Sequence, residues 1–206
     1  MAFPADPDAL RSQYCHDDLL RLRQDIHEHY TVPPVDFPSW VLNRVQWRGD
    51  ESVLDVGAGP GYDVEPLRAL APASRYTGVD VFDGMLARNP ARSLVLAEAL
   101  ALPFRSGAFD VVMANHMRYH VHDVDAAIGE MKRVLEPGGL LITATSSVNT
   151  MPELMALFRR AVLLLSNPCA ATALSLTPVH APYTLENGAP HLPRHFFAVV
   201  RSDLPP

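Results

Sequence analysis

The stretch VLDVGAGPGYD, Val53 to Asp63, places glycines at 57, 59 and 61 directly behind an apolar run that contains Asp55. The run reads as a buried strand, and glycines so spaced leave a loop whose backbone can be approached where a Cβ would block. A strand, a bare loop and a following helix form a cradle, and two familiar occupants can be weighed against it. A phosphate-binding P-loop needs a Gly-Lys-Ser/Thr ending, because the lysine and the hydroxyl serve phosphate and magnesium. Lys132 is the only lysine in the chain, so that reading fails. A dinucleotide fingerprint needs a third glycine where Tyr62 stands; the tyrosine hinders close helix–strand packing and weakens NAD without excluding it.

The segments around the loop repeat one rhythm. Strands are expected at Ser52 to Val56, Arg75 to Asp80, Ser93 to Ala97, Phe109 to Ala114 and Leu140 to Thr145. Helices are expected between them at Tyr62 to Leu70, Gly84 to Arg88 and Asp123 to Leu135, with Asp83 as the cap of the second. Apolar runs without clean alternation mark strands covered on both faces, and strands alternating with helices imply a parallel sheet. The fold class is α/β, a doubly wound, mostly parallel sheet. Upstream, Ala9 to Tyr30 reads as an amphipathic helix ended by Pro33, Pro34 and Pro38, and Trp40 to Trp47 as a second short helix. Downstream come a helix at Met151 to Leu165, another near Leu185 to Leu192, and a last strand at Phe196 to Arg201.

With 206 residues, 48% of them hydrophobic, the chain can build one sizeable core. Residues 1–48 are expected to form a helical lid, and 49–206 one globular unit. The net charge of -6 and the absence of a basic block disfavour a nucleic-acid partner. Cys15 and Cys169 form neither a disulfide framework nor a zinc cage, so a reducing cytoplasm is the expected location. The start, MAFPADPDALRSQ, lacks a signal peptide's basic and apolar regions, and Ala161 to Leu165 is too short to span a bilayer; no membrane partner is expected.

Four motifs in order give the loop a context. Asp55-x-Gly57-x-Gly59-x-Gly61 is followed by Asp80 in GVDVFDGML, Glu98 in EALALPFRSGAFDVV, and the run MKRVLEPGGLLITAT. Over about residues 51–145 this resembles the class I S-adenosylmethionine-dependent methyltransferases, closest to their small-molecule, ubiquinone/menaquinone-biosynthesis-like branch. The resemblance implies a Rossmann-like sheet with S-adenosyl-L-methionine as cofactor. It implies that Gly57, Ala58, Gly59 and Gly61 bring backbone N–H groups to the methionine portion. Asp80 accepts from the ribose hydroxyls, and Glu98 and the Ala99 N–H meet the adenine between Val81 and Phe82. Asp55 orients the loop or reaches the methionine amino group through water, Asn115 shapes the cofactor end, and Tyr30 reaches its carboxylate. The rival for Glu98 is a solvated loop acid, and for Phe82 plain core.

The segment after the fourth strand, NHMRYHVHD, carries the expected catalytic groups: His120 first as general base, Tyr119 as acceptor-positioning group, His116 second. The alternative is that these histidines satisfy loop backbone. No metal site is expected, because the three imidazoles lack a second spaced cluster. The expected partner is a small-molecule acceptor methylated at oxygen, nitrogen or carbon. The alternative is an inactive cofactor-binding or assembly protein of the same fold.

One departure from the family stands out. Its sheet ends with a sixth strand and an antiparallel seventh, yet only SDLPP follows Arg201, and prolines cannot form a central strand. The expectation is a sheet that lacks its seventh strand or gains it from a homodimer mate or another partner, or a truncated chain.

Overall fold

A computed structural model describes residues 34–117, 121–147 and 184–204, with isolated positions at 21, 22, 25, 29, 30, 156, 157, 160 and 161. The first helix, α1 (Phe37–Leu42), starts where Asp36 accepts from the Ser39 backbone N–H at 3.3 Å and from its hydroxyl at 2.5 Å. Pro38 sits in the first turn, where a missing N–H breaks no helical bond. The helix therefore begins three residues before Trp40 and is over by Leu42, rather than running from Trp40 to Trp47. Trp47 instead folds back, its indole N–H donating to the Leu42 carbonyl at 2.9 Å.

β1 (Ser52–Val56), β2 (Arg75–Asp80), β3 (Leu94–Leu96), β4 (Phe109–Asn115) and β5 (Leu135–Ala144) form one parallel sheet in the order β3-β2-β1-β4-β5. The order reverses on either side of β1, which opens a crevice beyond the carboxyl ends of β1 and β4. Alternation along the strands serves both faces. Val53, Val111 and Met113 pack with Leu42 of α1 and Leu67 of α2 (Val64–Leu70). Leu54, Val56, Val112 and Ala114 pack on the other face with Ala127, Met131 and Val134 of α4 (Val124–Val134). Between β2 and β3 lies one turn of helix, α3 (Asp83–Leu86).

Three local details depart from the sequence reading. Asp83 is the first residue of α3, not its cap; Phe82 holds the cap position, and the Asp83 carboxylate accepts from the adjacent Gly84 N–H at 2.8 Å. β5 is continuous from Leu135, but its register against β4 slips between Phe109 and Val111, where Gly138 adopts φ +86°. No strand forms at 196–201. α5 (Leu185–Gly188) runs into a 3-10 turn at Ala189–Arg194, and irregular backbone follows. Phe196 packs onto Val124 and Ile128, and its N–H donates to the Leu192 carbonyl at 2.9 Å. That anchor fixes the segment on α4, so the described sheet has five strands and β5 is an edge. The helices expected at Ala9 to Tyr30 and Met151 to Leu165 lie mostly outside the described residues.

The long turn between β3 and β4 is held from α4. Arg133 donates to the carbonyls of Phe104 at 2.7 Å and Leu102 at 2.9 Å, while Glu130 accepts from the Leu102 N–H at 3.1 Å. A planar guanidinium suits two carbonyls and a carboxylate together.

Leu54 is fully buried in the central strand. Leu54→Ala should lower stability by about 2–5 kcal/mol; denaturant unfolding measures it, and a loss under about 1 kcal/mol would contradict this packing.

Candidate functional site

The glycine loop is pinned by its own donors. The N–H groups of Gly57 and Ala58 both donate to the Val79 carbonyl, at 2.8 and 2.9 Å, and Gly61 N–H donates to Ala58 at 3.0 Å. Gly57, Gly59 and Gly61 have φ of +78°, +50° and +82°, the left-handed region that favours glycine. A Cβ at Gly57 would stand 2.5 Å from the Met117 Cβ, and one at Gly61 2.6 Å from Asn89 Oδ1. Asn89 in turn donates through Nδ2 to the Gly59 carbonyl at 3.0 Å.

Asp80, at the end of β2, accepts from the Gly59 N–H at 2.9 Å through Oδ2 and from the Phe82 N–H at 3.0 Å through Oδ1. It is 9% exposed. Burial raises its pKa, opposed by the backbone donors of Phe82, Gly59 and Val81. The loop N–H groups expected to meet a ligand are thus all committed inside the protein. The cradle offers space and negative charge, not free donors.

Asp55 lies below the loop, 3% exposed, and accepts from the Tyr76 hydroxyl at 2.7 Å. Burial, then the charges of Asp63 and Asp80, push its carboxyl well above the ordinary range, against the Tyr76 bond. Asp63 is also raised, by burial first and by Asp36. Asn115, at the end of β4, donates through Nδ2 to Asp63 at 3.3 Å, while its Oδ1 is buried with no hydrogen-bond partner. Next to it His116 has φ +51°, uncommon for a residue with a side chain, and its ring lies 4.9 Å from that of Phe37.

The structure thus gathers Asp55, Gly57, Ala58, Gly59, Gly61, Asp80, Asn115 and His116 at the carboxyl end of β1, β2 and β4. Val81 is half exposed beside Phe82, and Ala99 is buried in the turn after β3. Glu98 in the same turn is exposed, and its carboxylate makes no hydrogen bond among the described residues. Tyr30 is 78% exposed, with no described hydrogen bond to the loop. Tyr119 and His120 lie outside the described residues. Sequence reasoning gave no role to Asp63, Tyr76 or Asn89. Tyr76 shares strand parity with Asp80, which places both on the face of β2 toward Asp55, but only the register Asp55 to Gly78 shows the contact.

The five-stranded order and this loop define a class I, Rossmann-like methyltransferase fold. Residues 54–143 match the family model described as a methyltransferase domain. A demethylmenaquinone methyltransferase of Corynebacterium efficiens is 30% identical over 146 residues, covering 70% of this chain and 62% of that protein. A malonyl-[acyl-carrier protein] O-methyltransferase of Methylovorus sp. is 34% identical over 123 residues, covering 53% and 42%. The crystal structure of an S-adenosylmethionine-dependent methyltransferase of Thermotoga maritima superposes with a TM-score of 0.52 at 18% identity, covering 65% and 60%, a likeness of fold. The chain spans about half the length of the curated relatives it matches. Family and fold imply S-adenosylmethionine as cofactor. The residues fit it: the cradle is bare, Asp80 keeps lone pairs beyond its two backbone bonds, and the orphaned Asn115 Oδ1 beside Asp63 lacks a donor such as an ammonium.

Asp55, Asp63 and Asp80 all ionise less readily in the folded chain than at the ordinary value of 3.8. The folded state therefore holds protons that the unfolded state has shed, and stability falls as pH rises from 3.8 through the raised values. Asp55→Asn should raise the thermal midpoint of the ligand-free chain at pH 7 and flatten its decline as pH rises above 3.8. An unaltered slope in a thermal melt series would contradict this.

Proposed function

We propose that the chain transfers the methyl group of S-adenosylmethionine to a small-molecule acceptor, at oxygen, nitrogen or carbon. The observation that carries this is the donor-poor, acid-lined cradle. A pyrophosphate at a glycine loop needs free N–H groups, whereas here those of Gly57, Ala58, Gly59 and Gly61 are spent and Asp55, Asp63 and Asp80 stand close by. Such a site suits a cation-bearing ligand and repels a dinucleotide. When bound, S-adenosylmethionine supplies its methyl on a positively charged sulfonium.

The chain's own residues then divide the work. Asp80 takes the ribose hydroxyls, and Asn115 Oδ1 with Asp63 takes the ammonium. Val81, Phe82 and Ala99 face the adenine, with Glu98 for its amino group. Much of the acceleration comes from aligning the acceptor with the methyl group. In this reading His116, whose ring lies against Phe37, takes a proton from the acceptor, and His120 and Tyr119 complete the proposed set. Residues 1–48 act as the lid, supported by the Phe37 ring against His116 and by Asp36 acting on Asp63, and Tyr30 belongs to it. The methylation of demethylmenaquinone named for one relative, together with the net charge of -6, supports a small acceptor in the cytoplasm rather than a nucleic acid. Among the described residues no helix is long and apolar enough to cross a membrane.

Titration calorimetry tests the cofactor. S-adenosylmethionine and S-adenosylhomocysteine should bind in preference to NAD, and Asp80→Ala should weaken both at least about tenfold. Tighter binding of NAD overturns the reading.

The unpaired edge of β5 supports completion of the sheet by a second copy. Light scattering of the purified chain should give twice the chain mass, and a strict monomer would contradict it.

A further inference from the structure

Behind the glycine loop, away from the crevice just described, a cavity of about 220 Å³ opens between α2, the turn into β2 and the turn before β3. Its walls include Leu67, Ala91 and Tyr76, and Arg68, Arg92 and Ser74 supply its polar groups. In a chain of net charge -6, two guanidinium groups around one small cavity are notable. Arg92 makes no hydrogen bond or ion pair among the described residues. Arg68 pairs with Glu65 at 2.5 Å, but both side chains are more than half exposed, so the pair exchanges readily for a better anion. The cradle's acids have no counterpart among the walls: the lining holds no carboxylate.

We propose that this cavity is a binding site for a small carboxylate with a flat apolar body, the carboxylate between Arg92 and Arg68 and the body against Leu67, Ala91 and Tyr76. Guanidinium groups meet carboxylates through paired, charge-assisted hydrogen bonds, which favours this head group. The volume is somewhat above the ~150 Å³ that holds benzene, enough for a ring and its carboxyl.

Two hydrogen-bonded routes join the cavity to the glycine loop. Tyr76 donates to Asp55 at 2.7 Å. The Ala91 N–H donates to Asn89 Oδ1 at 3.0 Å, and Asn89 Nδ2 holds the Gly59 carbonyl at 3.0 Å. A ligand against Ala91 and Tyr76 therefore presses on both supports of the loop.

Sodium benzoate is the probe, followed by backbone amide NMR of the full chain without cofactor, so the outcome does not depend on the methyltransferase reading. Benzoate should shift the amides of Ser74, Ala91 and Arg92 saturably, with Kd of about 1 mM for a ligand this small, and should move the Gly59 amide as well. Arg92→Gln should weaken it roughly fivefold, while Arg75→Gln, outside the cavity, should leave it unchanged. Benzamide and inorganic phosphate separate the body from the charge, and each should bind more weakly than benzoate. The proposal is overturned by no saturation at about 20 mM benzoate, by benzamide or phosphate binding as well as benzoate, or by an Arg92→Gln protein that is folded and binds normally. Spectra of that variant matching the wild type outside residues 68–92 confirm folding.

Discussion

The carboxyl end of the sheet hangs on one buried carboxylate. Asp80 closes β2, yet its two oxygens hold the Gly59 N–H from the loop after β1 and the Phe82 N–H from its own turn. Two crossovers that would otherwise diverge are thereby locked to one residue. The Val79 carbonyl, taking both Gly57 and Ala58, repeats the link one residue earlier. Because the loop spends its donors on this clamp, its shape is set before any ligand arrives. Such preorganisation lowers the ordering cost that a ligand would otherwise meet.

The same clamp decides the sign of the site. With N–H groups committed and Asp55, Asp63 and Asp80 close together, the pocket is a region of acceptors in a low-dielectric setting. The acids answer by holding protons more tightly, which limits the cost while no cation is present. A bound cation would reverse that balance and favour the ionised forms. Charge on the ligand and protonation of the protein are therefore linked quantities at this site.

How much of this is written in the sequence depends on the range of the interaction. The bounds of β1 and β2 follow from apolar runs between polar breaks, and the glycine positions mark the loop outright. Asp80 is legible as an acid at a strand end, but its grip on Gly59 is not, because that bond spans a whole crossover of 21 residues. Tyr76 and Asn89 were hidden for the same reason: each matters only once Asp55 lies opposite Gly78 and the turn before β3 returns beneath the loop. The strand expected at Phe196 to Arg201 shows the converse error. Its residues favour a strand, but Phe196 buries itself against Val124 and Ile128, and packing overrides propensity. Asp83 and α1 are misplaced by only a few residues, the ordinary imprecision of helix ends.

The turn carrying Glu98 and Ala99 has its own dependence. It is fastened by Arg133, 31 residues beyond Leu102 and 29 beyond Phe104. Its shortest bonds to the rest of the protein come from α4, so its closure waits on an element that is made later. As the chain leaves the ribosome, β1, the glycine loop and β2 can pair while this turn is still unfastened. One wall of the crevice thus belongs to the first half of synthesis and the other to the second. A chain stopped before Arg133 would carry a formed loop facing an unsecured one.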